Sequence, residues 1–242
     1  MPDVLPITAV VLAWKRPNNT VRVANHLEQV CSHVVVWNNN PDQTYTSEGR
    51  IDIIQASRDM GLITRLCGAC LARTDAILFH DDDLLAPHDT IRALFAAWRN
   101  RPLSVHGVEG RDPKPDGTYA AGVAPPAECA VVLTRLAMAP RALVAETLRV
   151  WPLFEHILLK GDPPGNGEDI LMSYVARKLT GQRNVIHELP VEELDPGDDS
   201  IWRRPGHWEH RTVLMRACEK WISEKPAEKP TPSFKPPEML TV

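Results

Sequence analysis

Four apolar runs of strand length, separated by loops and helix-spaced stretches, restrict this chain to few architectures. Ile7 to Trp14 is rich in β-branched residues and reads as a first buried strand. Val34-Val35-Val36-Trp37 is a second, Ile51-Asp52-Ile53-Ile54 a third and Ala76-Ile77-Leu78-Phe79 a fourth. The spacing predicts a helix capped by Asn19 or Thr20 and running through Val30, and another from about Ser57 to Arg73. A further helix pattern starts at Pro87 and carries Ile91 to Trp98. Strands alternating with helices give an α/β fold with a mostly parallel sheet and right-handed crossovers. Such sheets bind ligands at the carboxyl ends of their strands. Arg16, Asn38 and the run Asp81-Asp82-Asp83 are therefore expected along one edge.

The run His80-Asp81-Asp82-Asp83 closes the fourth strand. Three carboxylates there repel one another unless a cation or hydrogen bonds compensate. Side chains alternate along a strand, so Asp81 and Asp83 are expected on one side and Asp82 on the other. Two oxygen donors from so short a stretch suit Mg2+ or Mn2+ held together with substrate phosphates. A solvated turn capping the next helix is the simpler alternative, since Asp favours such places.

From Ser104 the texture changes. Val105 to Gly110 and Ala130 to Leu133 are expected strands, Asp116-Gly117 is a hairpin turn signal, and Pro140 to about Leu159 is an expected helix. This half reads as mixed or antiparallel and appended to the parallel one. No Pro/Gly linker divides them, so residues 1–224 are expected to form one domain with halves of about 1–103 and 104–224. The Gly-rich stretch 161–167 leads into Glu168-Asp169 and a helix that Gly181 ends. Both acids sit in the first helical turn, where the dipole favours carboxylates, and for Glu168 that suffices. Asp169, after glycines that permit close backbone approach, can instead be held against a substrate. A last helix runs from about His207 to Ile222, with His207, Arg211, Leu214, Cys218 and Trp221 on its inward stripe. An inward cation needs an anionic partner, either a structural carboxylate or the phosphates of a ligand. Residues 225–242 are Pro/Lys-rich and expected to be an extended tail.

Composition excludes several classes. A net charge of −4 is not that of a general polyanion binder, although a local basic rim of Arg203, Arg204, His210, Arg211, Arg216 and the Lys-bearing tail is open to nucleic acid. Apolar stretches are too short to span a membrane, and the start Met1-Pro2-Asp3-Val4 is unlike a signal peptide, so the expected location is cytoplasmic. Five cysteines without framework spacing fit a reducing compartment. Cys67 and Cys70 have the spacing of a redox pair, but the apolar pattern around them reads as a buried helix face.

With Val35-Val36-Trp37-Asn38-Asn39, Asp81-Asp82-Asp83, Asn166-Gly167-Glu168-Asp169-Ile170-Leu171-Met172 and Trp202-Arg203-Arg204-Pro205-Gly206-His207 in this order, the sequence resembles the exostosin-like glycosyltransferases, family 64, from about Ile7 to Arg211. The resemblance implies the Rossmann-like GT-A fold, its first half binding a nucleotide and its second an acceptor. It also implies transfer of an N-acetylhexosamine from a UDP-sugar, with retention. Arg16 and Asn38 match positions around the uracil and ribose, and Arg65 matches an arginine that contacts the donor. Asp81 and Asp82 belong to the donor-binding acidic motif, Asp81 touching ribose or sugar, while Asp83 binds Mn2+ with the diphosphate. Asp169 matches the active-site acid, and His207 and Arg211 match groups that neutralise the departing diphosphate. The sequence departs from the family in lacking a membrane anchor and in having Glu168 where an Asp is usual, which argues against heparan-type acceptors.

The chemistry fits the residues independently. Breaking a sugar–phosphate bond builds negative charge that a metal and cationic side chains stabilise. Only a carboxylate is then needed near the anomeric carbon. An inverting enzyme with Asp169 as base, a haloacid-type phosphatase, a nucleotidyltransferase and a non-catalytic sugar-nucleotide binder are the alternatives. A saccharide, a lipid-linked glycan and a hydroxymethylated DNA base are all open as acceptors.

Overall fold

A computed structural model describes residues 4–195 and 200–224; the expected tail at 225–242 lies outside the described residues. The first half follows the alternation. Strand β1 (Leu5–Ala13) leads into helix α1 (Pro17–Glu28), then β2 (Cys31–Asn38), β3 (Ile51–Gln55), α2 (Ile63–Ala69) and β4 (Ala76–His80). A two-residue β5 (Leu84–Leu85) and α3 (His88–Asn100) follow. The second half runs β6 (His106–Gly107), β7 (Gly110–Pro113), β8 (Tyr119–Val123), β9 (Ala127–Cys129), β10 (Val131–Val132) and β11 (Leu136–Pro140). It continues with α4 (Arg141–Val150), α5 (Glu155–Leu158), α6 (Glu168–Thr180), β12 (Asn184–Ile186), β13 (Glu192–Glu193) and α7 (His207–Ser223).

Eight strands form the central sheet in the order β3-β2-β1-β4-β11-β6-β12-β9. The first four are mutually parallel. Strand β11 then runs antiparallel to β4, pairing Leu136 with His80 and Pro140 with Ala76. It enters the sheet at the edge where β4 leaves it, which brings residues 133–135 beside the acidic run. Two small sheets, β10-β7-β8 and β13-β5, flank that edge.

Both faces of the sheet are covered, as its unbroken apolar strands require. Ile77 and Phe79 of β4 pack with Leu66, Leu171 and Leu214 in one core, whereas Ala76 and Leu78 pack with Leu27, Ile91 and Leu94 in the other. No helix among the described residues is long and apolar enough to cross a membrane.

Several expectations need correction. Helix α2 begins only at Ile63, because Gly61 (φ +78°) packs onto Pro164, whose carbonyl oxygen accepts the Leu62 N–H at 2.9 Å. Its cysteines do not share one buried face, since Cys67 is half-buried and Cys70 exposed. The stretch 105–110 bends between two sheets, with β6 in the central one and β7 in the three-stranded one, whereas 130–133 holds the expected strand as β10. Helix 140–159 breaks into α4, a 3-10 turn at Trp151–Leu153 and α5, as Pro152 lacks the N–H an α-helix needs. Thr20 does not cap α1 with its side chain but donates back to the Arg16 carbonyl at 3.0 Å, while Pro17 starts the helix.

Candidate active site

A cleft of about 1000 Å3 opens at the carboxyl edge of the parallel strands. Arg16, Arg65, Asp81, Asp82, Asp83, Asp169, His207 and Arg211 all line it, so eight of the nine residues singled out from sequence come together. Asn38 does not. It is fully buried, with its amide donating to the carbonyls of Asn40 (3.1 Å) and Gln43 (2.8 Å), and it shapes the turn after β2. Asn39 lines the cleft in its place, held to the Gly61 carbonyl and Thr64 hydroxyl at 3.0 and 3.1 Å.

Alternation along the strand end divides the acidic run. Asp82 is 3 % exposed and turns to α1, where Arg16 donates to it at 2.5 Å and Thr20 at 3.4 Å. Burial raises its pKa to about 6 despite Arg16. Asp81 and Asp83 are partly open to the cleft. Arg65 meets Asp81 at 2.5 Å; Arg16 and Arg135 approach Asp83 at 3.6 and 3.5 Å. Burial pushes Asp81 upward against the lowering pull of Arg65, and Asp83 adds to the rise. The Asp81 backbone is fixed from both sides, its N–H donating to the Arg135 carbonyl and its carbonyl accepting from His80 Nδ1. His80 is thereby the Nδ1–H tautomer, with Nε2 accepting the Ala86 N–H at 3.3 Å.

Carboxylate oxygens are suitable donors for a hard divalent cation. Among the described residues no group of three or more His, Cys, Asp or Glu is placed to hold one. Asp81 and Asp83 would therefore share the ion with substrate oxygens, as Mg2+ sites commonly do.

Across the cleft, Gly167 (φ +113°) turns the loop into α6 and presents two acids. Asp169 receives Arg211 Nη2 at 2.6 Å, and Arg211 Nη1 reaches Asn166 Oδ1 at 3.0 Å. Asn166 lies 3.1 Å from His207 Nδ1, and Arg211 stacks 4.6 Å above the Tyr119 ring. Burial opposes the charge of Arg211, but Asp169 and Tyr119 outweigh it and raise the pKa. Burial and Arg211 lower His207 to about 4, so at neutral pH it is an uncharged hydrogen-bonding group and not the inward cation expected.

Glu168 has more than a helix-dipole role. It is 2 % exposed, accepts the Thr134 hydroxyl at 3.0 Å and lies 3.4 Å from Arg65, which also donates to Thr134. Burial, then the adjacent Asp169, lifts its carboxyl to about 7. Sequence reasoning missed Thr134, Arg135, Glu109 and Glu193, because the first two reach the cleft in the turn that enters β11, Glu109 just before β7 and Glu193 on β13. Only a pairing partner for β4 within residues 133–140 would have revealed the first two.

A family model described as glycosyl transferase family 64 domain matches residues 7–233. A crystal structure of GalNAc-T7 with UDP, GalNAc and Mn2+ shares the fold, with a TM-score of 0.61 at 13 % identity over 90 % of this chain. The chain spans half the length of that protein, covering 50 % of it. No curated protein sequence matches.

Proposed function

The chain belongs to glycosyl transferase family 64 and is a glycosyltransferase, and from that premise we propose that it transfers a sugar, an N-acetylhexosamine, from a UDP-sugar to an acceptor hydroxyl with retention, using Mn2+ or Mg2+. One observation carries the reading: the acidic strand end and the Asp169–Arg211 pair, distant in sequence, line a single cleft. GalNAc-T7, solved with UDP, GalNAc and Mn2+, supports it through the shared fold.

In this reading Arg16, Asn39 and Arg65 line the donor end, with Asn38 supporting the loop that carries Asn39. Asp81 and Asp83 hold the divalent cation, which neutralises diphosphate charge when bound. Asp82 fixes Arg16. Arg211 and His207 take the far side of the diphosphate, a preorganised donor set where charge develops as the sugar–phosphate bond breaks. An arriving phosphate also stabilises the protonated form of His207. Asp169 orients the acceptor hydroxyl beside the anomeric carbon. Both its oxygens already accept hydrogen bonds, Oδ2 from Arg211 and Oδ1 from the Ile170 N–H at 2.8 Å. That occupancy favours an orienting role over that of an inverting general base.

The acceptor is a saccharide, free or lipid-linked, rather than a hydroxymethylated base in DNA. Arg204 is tied to Asp162 at 2.6 Å and Arg211 is buried against Asp169, which takes two cations from the expected basic rim. Mn2+-dependent UDP release across a set of UDP-sugars, followed by mass analysis of acceptor mixtures, tests the reaction. The anomeric configuration of the product by NMR tests the stereochemistry, and an inverted linkage ends the retaining proposal.

A further inference from the structure

Arginines at the acidic run are shared with other acids. Arg65 divides between Asp81 and Glu168, and Arg16 between Asp82 and Asp83. Arg135 is the most divided. It approaches Asp83 through Nε at 3.5 Å, donates to Glu109 at 2.8 Å, and meets both carboxylate oxygens of Glu193, one of them at 3.0 Å. Strand β13, which carries Glu193, is clasped antiparallel to β5 just after Asp83. The next residue, Leu194, donates its N–H to the Asp83 carbonyl at 2.8 Å. One short clasp thus fixes the Asp83 backbone and brings a two-pronged carboxylate to the arginine that approaches the Asp83 side chain.

A guanidinium and a divalent cation compete for the same carboxylate oxygens, and each repels the other. Any acid that draws the arginine away, or offsets its charge, favours the metal. We infer that Glu193 is a positioning residue for the divalent-cation site: by engaging Arg135 with both oxygens, it leaves Asp83 available to the ion and sets the cation affinity. The inference rests on the proposed assignment of Asp81 and Asp83 as cation-holding residues. Glu193 touches neither the ion nor the substrate in this account. Its side chain is 63 % exposed, so its substitution should spare folding.

The test is a double-mutant cycle on the full chain, with Mn2+ binding in the presence of UDP read from the electron paramagnetic resonance signal of the free aquo ion. Glu193→Gln should weaken Mn2+ binding about fivefold, the scale of a favourable exposed ion pair. Glu192→Gln is the control for net charge, because Glu192 pairs with Arg22 at 2.8 Å instead, and should change binding less than about twofold. Arg135→Gln should tighten binding, and adding Glu193→Gln to it should then cost no more than the control. Equal effects of Glu193→Gln and Glu192→Gln, or an undiminished loss in the Arg135→Gln background, overturn the inference. If the unaltered protein binds no Mn2+ with UDP present, the cation assignment itself fails, and the inference with it.

Discussion

Arg211 donates to Asp169 at 2.6 Å with both side chains only 6 % exposed, so the proposed active-site acid is one half of a buried ion pair. Breaking such a pair from one side leaves an uncompensated buried charge, typically at a cost of about 3–5 kcal/mol. Arg211→Met should lower unfolding stability by that order in urea titrations. Asp169→Asn keeps the shape but leaves Arg211 uncompensated, so it too should lose stability, while the folded variant should spare UDP binding and lose turnover. Equal loss of UDP binding and turnover in Asp169→Asn would remove the orienting role.

The acidic run should separate into two phenotypes. Asp83→Asn should abolish metal-dependent UDP binding by calorimetry. Asp82→Asn should leave a metal response but weaken UDP binding, because Arg16 loses its 2.5 Å partner. An Asp83 variant with an unaltered metal response refutes the ligand assignment.

Glu168 sets a sign for pH dependence. Burial and Asp169 lift its carboxyl from the ordinary 4.5 to about 7. The folded protein therefore keeps this proton over a range where the unfolded chain has lost it, and this contribution to stability falls as pH rises from about 4.5 to about 7. His207, lowered from 6.5 to about 4, acts oppositely and adds stability as pH rises from about 4 to about 6.5. The unaltered protein mixes the two. Subtracting the urea-unfolding free energies of Glu168→Gln from those of the parent protein isolates the Glu168 component. That difference should decline through the window and level off above it; a rising difference contradicts the raised pKa.

Gly167 has no room for a side chain. At φ +113° an added Cβ would lie 2.3 Å from Leu214 Cδ2. Gly167→Ala should destabilise the protein by about 1–3 kcal/mol from backbone strain alone. Leu214→Ala in the same chain should relieve the clash but not the strain, so thermal unfolding should show partial rescue at most.

The parallel half was legible because each strand is an uninterrupted apolar run and each polar strand end then falls on one edge. Asp81, Asp83, Asp169 and Arg211 followed from alternation, helix spacing and the resemblance together. Strand β11 was not legible: Leu-Ala-Met-Ala-Pro holds no β-branched residue, and its final Pro reads as a helix start. Missing that strand hid Thr134 and Arg135. Glu168 was undervalued because dipole arguments concern exposed helix ends, whereas tertiary packing placed this carboxylate between Thr134 and Arg65. His207 was placed in the cleft, but spacing shows direction and not desolvation, and burial with Arg211 nearby lowers its pKa to about 4.

The antiparallel entry of β11 has a consequence for tolerance to change. Thr134 and Arg135 stand in the turn just before β11, and that turn is anchored by the five consecutive cross-strand pairs of β11 with β4, from Leu136 opposite His80 to Pro140 opposite Ala76. Strand faces repeat every second residue, so a one-residue slip of β11 against β4 would exchange the side chains that Leu136, Met138, Ala137 and Ala139 present to the two cores and would carry the turn out of place. Change at Thr134 and Arg135 is therefore expected by substitution rather than by a shift in the register of β11.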